Sequence, residues 1–269
     1  MIHDHCTPQV PRQEIMPLGR IERDLVDAML QSLMQLDAVV EQVVAGPKFI
    51  AVITGGRMGM SSLLGARPAG NEADMTEKVI GRTAAQVAKY LLRPSPFAVC
   101  LGMAALNAAN APDPAAVTGD DAPAEALIAE LGRNKTVGLV GQFPFVDALR
   151  EKVGALHLFE LRDLPGAVPK DKWEVVLSGL DVLAVTGTAV LTRQMGYFLT
   201  HAGQAVSVVL GPTTPLSQAL FRFGADYLCG SVVTDPGRVL EGIRVGLPFR
   251  VIKKNGGIKF VRLTKDKKS

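Results

Sequence analysis

Two apolar periodicities divide this chain. Between Arg20 and Ala45, Ile21, Leu25, Met29, Leu33, Leu36, Val40 and Val43 recur at steps of three and four, which predicts one amphipathic helix stopped by Gly46-Pro47. "FIAVIT" and "RMGMSSLL" flank Gly55-Gly56 and read as a hairpin. Asp74-Met75-Thr76-Glu77 has capping-box spacing ahead of a helix to about Leu92. Ser95-Pro96 supplies a cap and a first-turn proline for "FAVCLGMAALNAAN", apolar almost all round and so predicted to lie in a core.

Beyond the Pro-, Asp- and Ala-rich stretch 111–124 the period changes. Apolar strands at 136–140, 156–161, 181–185, 206–210 and 226–229 alternate with helical stretches at 146–153, 172–180, 191–201, 216–223 and 238–245. Strands apolar on both faces and separated by helices predict a parallel sheet covered on both sides, doubly wound and Rossmann-like. A closing hairpin is expected around Asn255-Gly256. The expectation is an α/β protein of two domains, 1–117 and 118–269, with the boundary near Val117.

Ligands of open α/β sheets sit beyond the carboxyl ends of the strands. Here those ends read Gly141-Gln142-Phe143-Pro144, Glu160-Leu161-Arg162, Thr186-Gly187-Thr188, Gly211-Pro212-Thr213-Thr214 and Gly230-Ser231. Glycine permits a sharp turn or a close approach, and the hydroxyls cap helices whose N-termini favour anions. Any one such loop is explained by turn and cap chemistry alone; the set together points to a shared crevice. Glu160 follows Gly141 by the spacing of a ribose-binding acid, yet no G-x-G-x-x-G is present and Phe143-Pro144 adds bulk where tight packing is needed. Glu160 is left to face a cation, face a substrate amine, or pair with Arg162.

Composition narrows the classes. Net charge is +3, but the segment from Arg250 onward carries +7 and the remainder −4. With Phe260 its lone aromatic, that basic end reads as a solvated tail, and nucleic acid is not an expected partner. No apolar run is long enough for a membrane span, the N-terminus lacks the apolar core of a secretory signal, and a cytoplasmic location is expected. Cys100 and Cys229 sit in apolar runs and read as core residues. His3, Asp4, His5 and Cys6 place transition-metal ligand types together at the terminus, where adventitious binding is the commoner outcome.

The succession "VGLVGQFPFVDALREK", the Glu160 strand, "DVLAVTGTAVLT" and "VVLGPTTPLSQALFRFGADYLCGSVVTDPGRVLEGI" resembles a family described as "putative heavy-metal chelatases". "FIAVITGG", "GRTAAQVAKYL" and "CLGMAALNAAN" are similar to its usual N-terminal partner domain. The resemblance implies an enolase-N-terminal-like α+β domain followed by a Rossmann-like domain, with a ligand site between them that handles a metal or metal chelate. It touches Gly141, Phe143, Pro144, Glu160, Thr186, Gly187, Thr188, Gly211, Pro212 and Gly230, with Asn107 from the first domain. The expected occupant is a small anionic molecule, a metal ion or a metal chelate, held by those residues with Gln142, Thr213 and Thr214. The alternative is an enzyme acting on a nucleotide- or pterin-like molecule with Glu160 as general base. A homo-oligomer and a protein partner for the basic tail both stay open.

Overall fold

A computed structural model describes residues 15–33, 38–113 and 121–265. The His3–Cys6 terminus, the boundary at Val117 and the last four residues lie outside them. The first half begins with α1 (Arg20–Gln31), followed by the antiparallel sheet β1 (Val40–Ala45), β2 (Phe49–Thr54) and β3 (Arg57–Ser62). Short helices α2 (Met75–Lys78) and α3 (Ala84–Ala88) lead to the long α4 (Pro96–Asn110).

The second half reads α5 (Ala124–Leu131), β4 (Thr136–Val140), α6 (Val146–Arg150), β5 (Ala155–Phe159), α7 (Trp173–Ser178), β6 (Val182–Thr186), α8 (Met195–His201), β7 (Val206–Leu210), α9 (Ala219–Arg222), β8 (Tyr227–Val233), α10 (Pro236–Arg244), α11 (Phe249–Lys254) and β9 (Ile258–Thr264). Its six strands lie in the order β5-β4-β6-β7-β8-β9, parallel except for β9.

Alternation along the strands explains the layers. Val137 and Leu139 of β4, with Val182 and Ala184 of β6, pack under Ile128 and Leu149 of α5 and α6. Their neighbours Val140, Leu183 and Val185 point to the opposite face, toward Trp173, Phe198 and Leu220 of α7, α8 and α9. That second face belongs to one apolar cluster that also takes in Leu25 and Met29 of α1 and Phe97 and Leu106 of α4. The two halves therefore share a continuous core.

Helix α4 is apolar almost all round because backbone presses on both its sides. A Cβ on Gly59 of β3 would fall 2.0 Å from the Ala108 nitrogen, and one on Gly102 would fall 2.7 Å from the Leu91 nitrogen. Ser95 caps the helix as its sequence predicts, accepting the Ala98 N–H at 3.2 Å ahead of Pro96. The β2–β3 hairpin also forms as expected, with Thr54 opposite Arg57.

Three local expectations are corrected. Residues 20–45 are not one helix: α1 ends at Gln31 and Val40–Ala45 are a strand paired with β2. Valines at 39, 40, 43 and 44 fit a pleated surface better than a helix, and Val40 also exchanges backbone bonds with Arg82 and Gly81. Asp74 caps nothing, since its carboxylate bonds Lys78 at 2.7 Å; the capping box belongs to Thr83 and Gln86 at α3. The closing hairpin is instead a helix and a strand. Pro248 starts α11, and β9 pairs with β8 as an antiparallel edge. Much of the expected basic tail is thus helix and strand, with Lys253 of α11 bonded to Asp121 at 2.6 Å.

Glu22 ties the halves together. This buried α1 side chain accepts the Tyr197 N–H at 2.9 Å, in the first turn of α8. Burial pushes its carboxyl above the usual range, and bonds from the Tyr197 and Gly196 N–H groups pull it back only in part. The folded state therefore holds the proton more tightly than the unfolded chain. Stability from this group is complete below the ordinary carboxylate value of 4.5 and is lost as pH rises through the raised one. Glu22→Gln keeps an acceptor for Tyr197 and removes the charge, so its melting temperature is expected to decline less than the wild type's between pH 4.5 and neutrality. Thermal melts of both proteins across that range check it; a steeper decline in the variant would contradict the sign.

Candidate functional site

In the six-stranded sheet the chain runs outward from β4 to β5, then returns past β4 to begin β6 on its other side. At such a reversal the loops leaving the two central strands diverge and leave a crevice at their carboxyl ends. A pocket of about 250 Å³ occupies that position, lined by Gly141, Gln142, Glu160, Arg162, Thr186 and Thr188. Trp173 and Phe198 contribute apolar walls, and Leu64 reaches it from the first half. A trough of about 420 Å³ adjoins it, sharing Glu160 and Arg162 and running along residues 163–170.

Gly141 leaves β4 with φ +94°, a conformation in which a side chain is strained, and a Cβ there would meet the Thr186 methyl at 3.0 Å. The backbone therefore turns away from the sheet and opens the crevice. Thr186 and Thr188 share a hydroxyl–hydroxyl bond of 2.9 Å on one side of it. On the other side, Glu160 Oε1 accepts the Leu161 N–H at 3.0 Å, with longer bonds of 3.4 Å from the Arg162 N–H and Nε. Its Oε2 pairs with Arg162 Nη2 at 3.2 Å, and the same nitrogen donates to Gln142 Oε1 at 3.2 Å. The Glu160 side chain is 4% exposed and that of Arg162 42%. The buried charge is thus compensated, and the accessible charge at the pocket is the cation.

Gly141, Gln142, Glu160, Thr186 and Thr188 come together in this way. The other candidates lie elsewhere. Phe143 stacks on Phe145 with centroids 5.0 Å apart and packs with the cluster under α5 and α6, while Pro144 is exposed. Gly187 is buried against the 211–216 loop, where a Cβ would fall 2.4 Å from the Thr214 nitrogen. Thr213 and Thr214 are buried between the halves: Thr213 Oγ1 accepts the Ser62 N–H at 3.0 Å, and its carbonyl accepts from Asn107 Nδ2 at 3.3 Å. Pro212 and Asn107 line that same seam. Gly211 turns out of β7 with φ +109°. Gly230 is not a strand exit, because β8 continues to Val233 paired with β9; it sits mid-strand against Leu216. The sequence placed the strand's end at the glycine because it did not anticipate β9 as the partner that extends it.

Trp173, Phe198, Thr192 and Gln194 also line the crevice and were not anticipated. Trp173 and Phe198 fall within the expected helical stretches 172–180 and 191–201, and only the sheet order brings them beside a strand end.

The donor set bears on metal chemistry. Among the described residues no three His, Cys, Asp or Glu converge. Burial pushes the Cys100 and Cys229 thiols up to about 12 and about 11, so both are protonated at neutral pH. The pocket offers hydroxyls, the carboxamides of Gln142 and Gln194, and one carboxylate already held by Arg162. Those residues do not make a seat for a bare heavy-metal ion, which prefers thiolate or imidazole.

Comparison with known proteins places the chain. Residues 125–262 match the family DUF364 and residues 26–110 match DUF4213, both described as "Putative heavy-metal chelation". A crystal structure of a DUF364-family protein with unknown function from Desulfitobacterium hafniense is similar with a TM-score of 0.78 and 23% identity, over 90% of this chain and 98% of that one. Another from Pyrococcus horikoshii gives 0.68 and 18%, over 92% of this chain and 100% of that one. At such identities the likeness shows the α/β fold alone. No curated protein matches the chain.

Proposed function

The chain belongs to the DUF364 family, described as "Putative heavy-metal chelation", and from that premise we propose that its crevice between β4 and β6 binds a small anionic ligand carrying metal as a chelate. The observation that supports this reading most directly is the charge at the pocket: Arg162 is half exposed there, while the carboxylate that balances it is buried and fully occupied by N–H donors. A guanidinium offers a planar fork suited to carboxylates and phosphates. The Thr186 and Thr188 hydroxyls and the Gln142 amide add polar contacts, and Trp173 and Phe198 add apolar wall. A metal would enter already wrapped by the ligand's own donors, as cargo.

The same bonds disfavour Glu160 as a general base, because both its oxygens already accept hydrogen bonds. Titration of the purified chain with citrate, nitrilotriacetate and their Ni²⁺ complexes tests the proposal. The complexes are expected to raise the melting temperature in a concentration-dependent way, and Ni²⁺ as its chloride salt is not. Stabilisation by the chloride salt alone would reverse the assignment. A response confined to nucleotides or pterins would favour the enzyme instead.

A further inference from the structure

Away from the crevice, Thr214 is 3% exposed and its hydroxyl has no partner among the described residues. Asn107 Oδ1 and Ser231 Oγ are likewise buried atoms without a partner among the described residues. All three residues line a single cavity of about 10 Å³ at the seam where α4, β3 and β8 meet the 211–216 loop. Three buried, unpartnered oxygen atoms around one small hollow are not a coincidence of packing, since buried polar groups are paired with few exceptions.

The orientation of Asn107 is determined by its neighbours. Its Nδ2 donates to the Met60 carbonyl at 2.9 Å and to the Thr213 carbonyl at 3.3 Å. A flipped amide would set Oδ1 against two carbonyl oxygens, so Oδ1 is the atom left over and needs a donor. The hollow has room for about one water molecule, and buried waters typically make about three hydrogen bonds. Its other lining residues, among them Met58, Met60, Leu216 and Val233, bring no charge.

We infer that this cavity is the binding site of one ordered water molecule, which donates to Asn107 Oδ1 and bonds the Thr214 and Ser231 hydroxyls. A cation there would meet only neutral oxygens in an apolar surround, where burial of charge is costly. The water has a position in the architecture of the crevice too. Thr214 backs directly onto Gly187, the residue between the two threonines of the pocket wall. One small molecule thus joins the first half, through Asn107, to the loop that supports that wall.

A high-resolution crystal structure of the full chain, grown in sodium and again in rubidium salt, tests this. The expected result is one peak within hydrogen-bond distance of all three oxygens, without anomalous signal in rubidium. An anomalous peak would assign a cation and overturn the inference. So would a hollow closed by the two hydroxyls bonding each other or the amide. Ser231→Val fills the space with a methyl group; the peak is expected to vanish and the melting temperature to fall by about 2–4 °C. A peak that persists beside the valine would equally reject the site.

Discussion

Arg162→Ala is expected to weaken binding of an anionic chelate by roughly 10–100-fold, the range that one charge-assisted bonding group supplies. The fold should survive. Stability should still drop, because the 4% exposed Glu160 carboxylate loses its counter-charge and keeps only the backbone N–H groups of residues 161 and 162. Calorimetry with a citrate complex, run beside a thermal melt, separates the two effects. Arg162→Lys keeps the charge without the planar fork and should recover only part of the affinity. Glu160→Gln removes the competing anion while retaining an acceptor, so it should bind at least as well as wild type. If Arg162→Ala binds normally, the crevice between β4 and β6 is not where the ligand sits.

Gly59→Ala is expected to destabilise the protein by roughly 3 kcal/mol or more, at the upper end for overpacking. The added Cβ would fall 2.0 Å from the Ala108 nitrogen and 2.4 Å from the Ala104 carbonyl oxygen. Both obstacles are helix backbone, which no rotamer change can move aside. Relief requires β3 and α4 to separate, and that strains the Asn107–Met60 bond and the shared core behind it. Gly179→Ala is the control. It has φ −100° and its nearest neighbour would be 3.8 Å away, so its effect should stay within about 0.5 kcal/mol. Urea unfolding of both variants gives the comparison. A loss below about 1 kcal/mol for Gly59→Ala would mean that strand and helix are not in backbone contact.

From β4 to β7 the second half was readable from its sequence because its signals are local. Each apolar strand run is short, bounded by turn residues and followed by a helical period, so Thr136–Val140 and Val206–Leu210 form where expected. Ser95-Pro96 likewise carries its own cap and first-turn geometry. Val40–Ala45 is the opposite case. Its valines suit either period within one segment, and the choice falls to β2 and to the Arg82 and Gly81 backbone, which approach only in the folded chain.

The candidate site divides along the same line. Strand exits are a one-dimensional property, so Gly141, Glu160, Thr186 and Thr188 could be named from residue types and spacing. Which exits share a hollow depends on strand order, and order is set by long-range pairing that no short stretch encodes. The reversal at β4 joins its exit with those of β5 and β6, whereas the Gly211–Thr214 loop, one strand further on, is pressed against β3 and α4 and buried. Residue chemistry could offer Glu160 a choice between a cation, an amine and Arg162; packing it beside that guanidinium with 4% exposure makes the choice, because a carboxylate removed from water needs the nearest compensating charge.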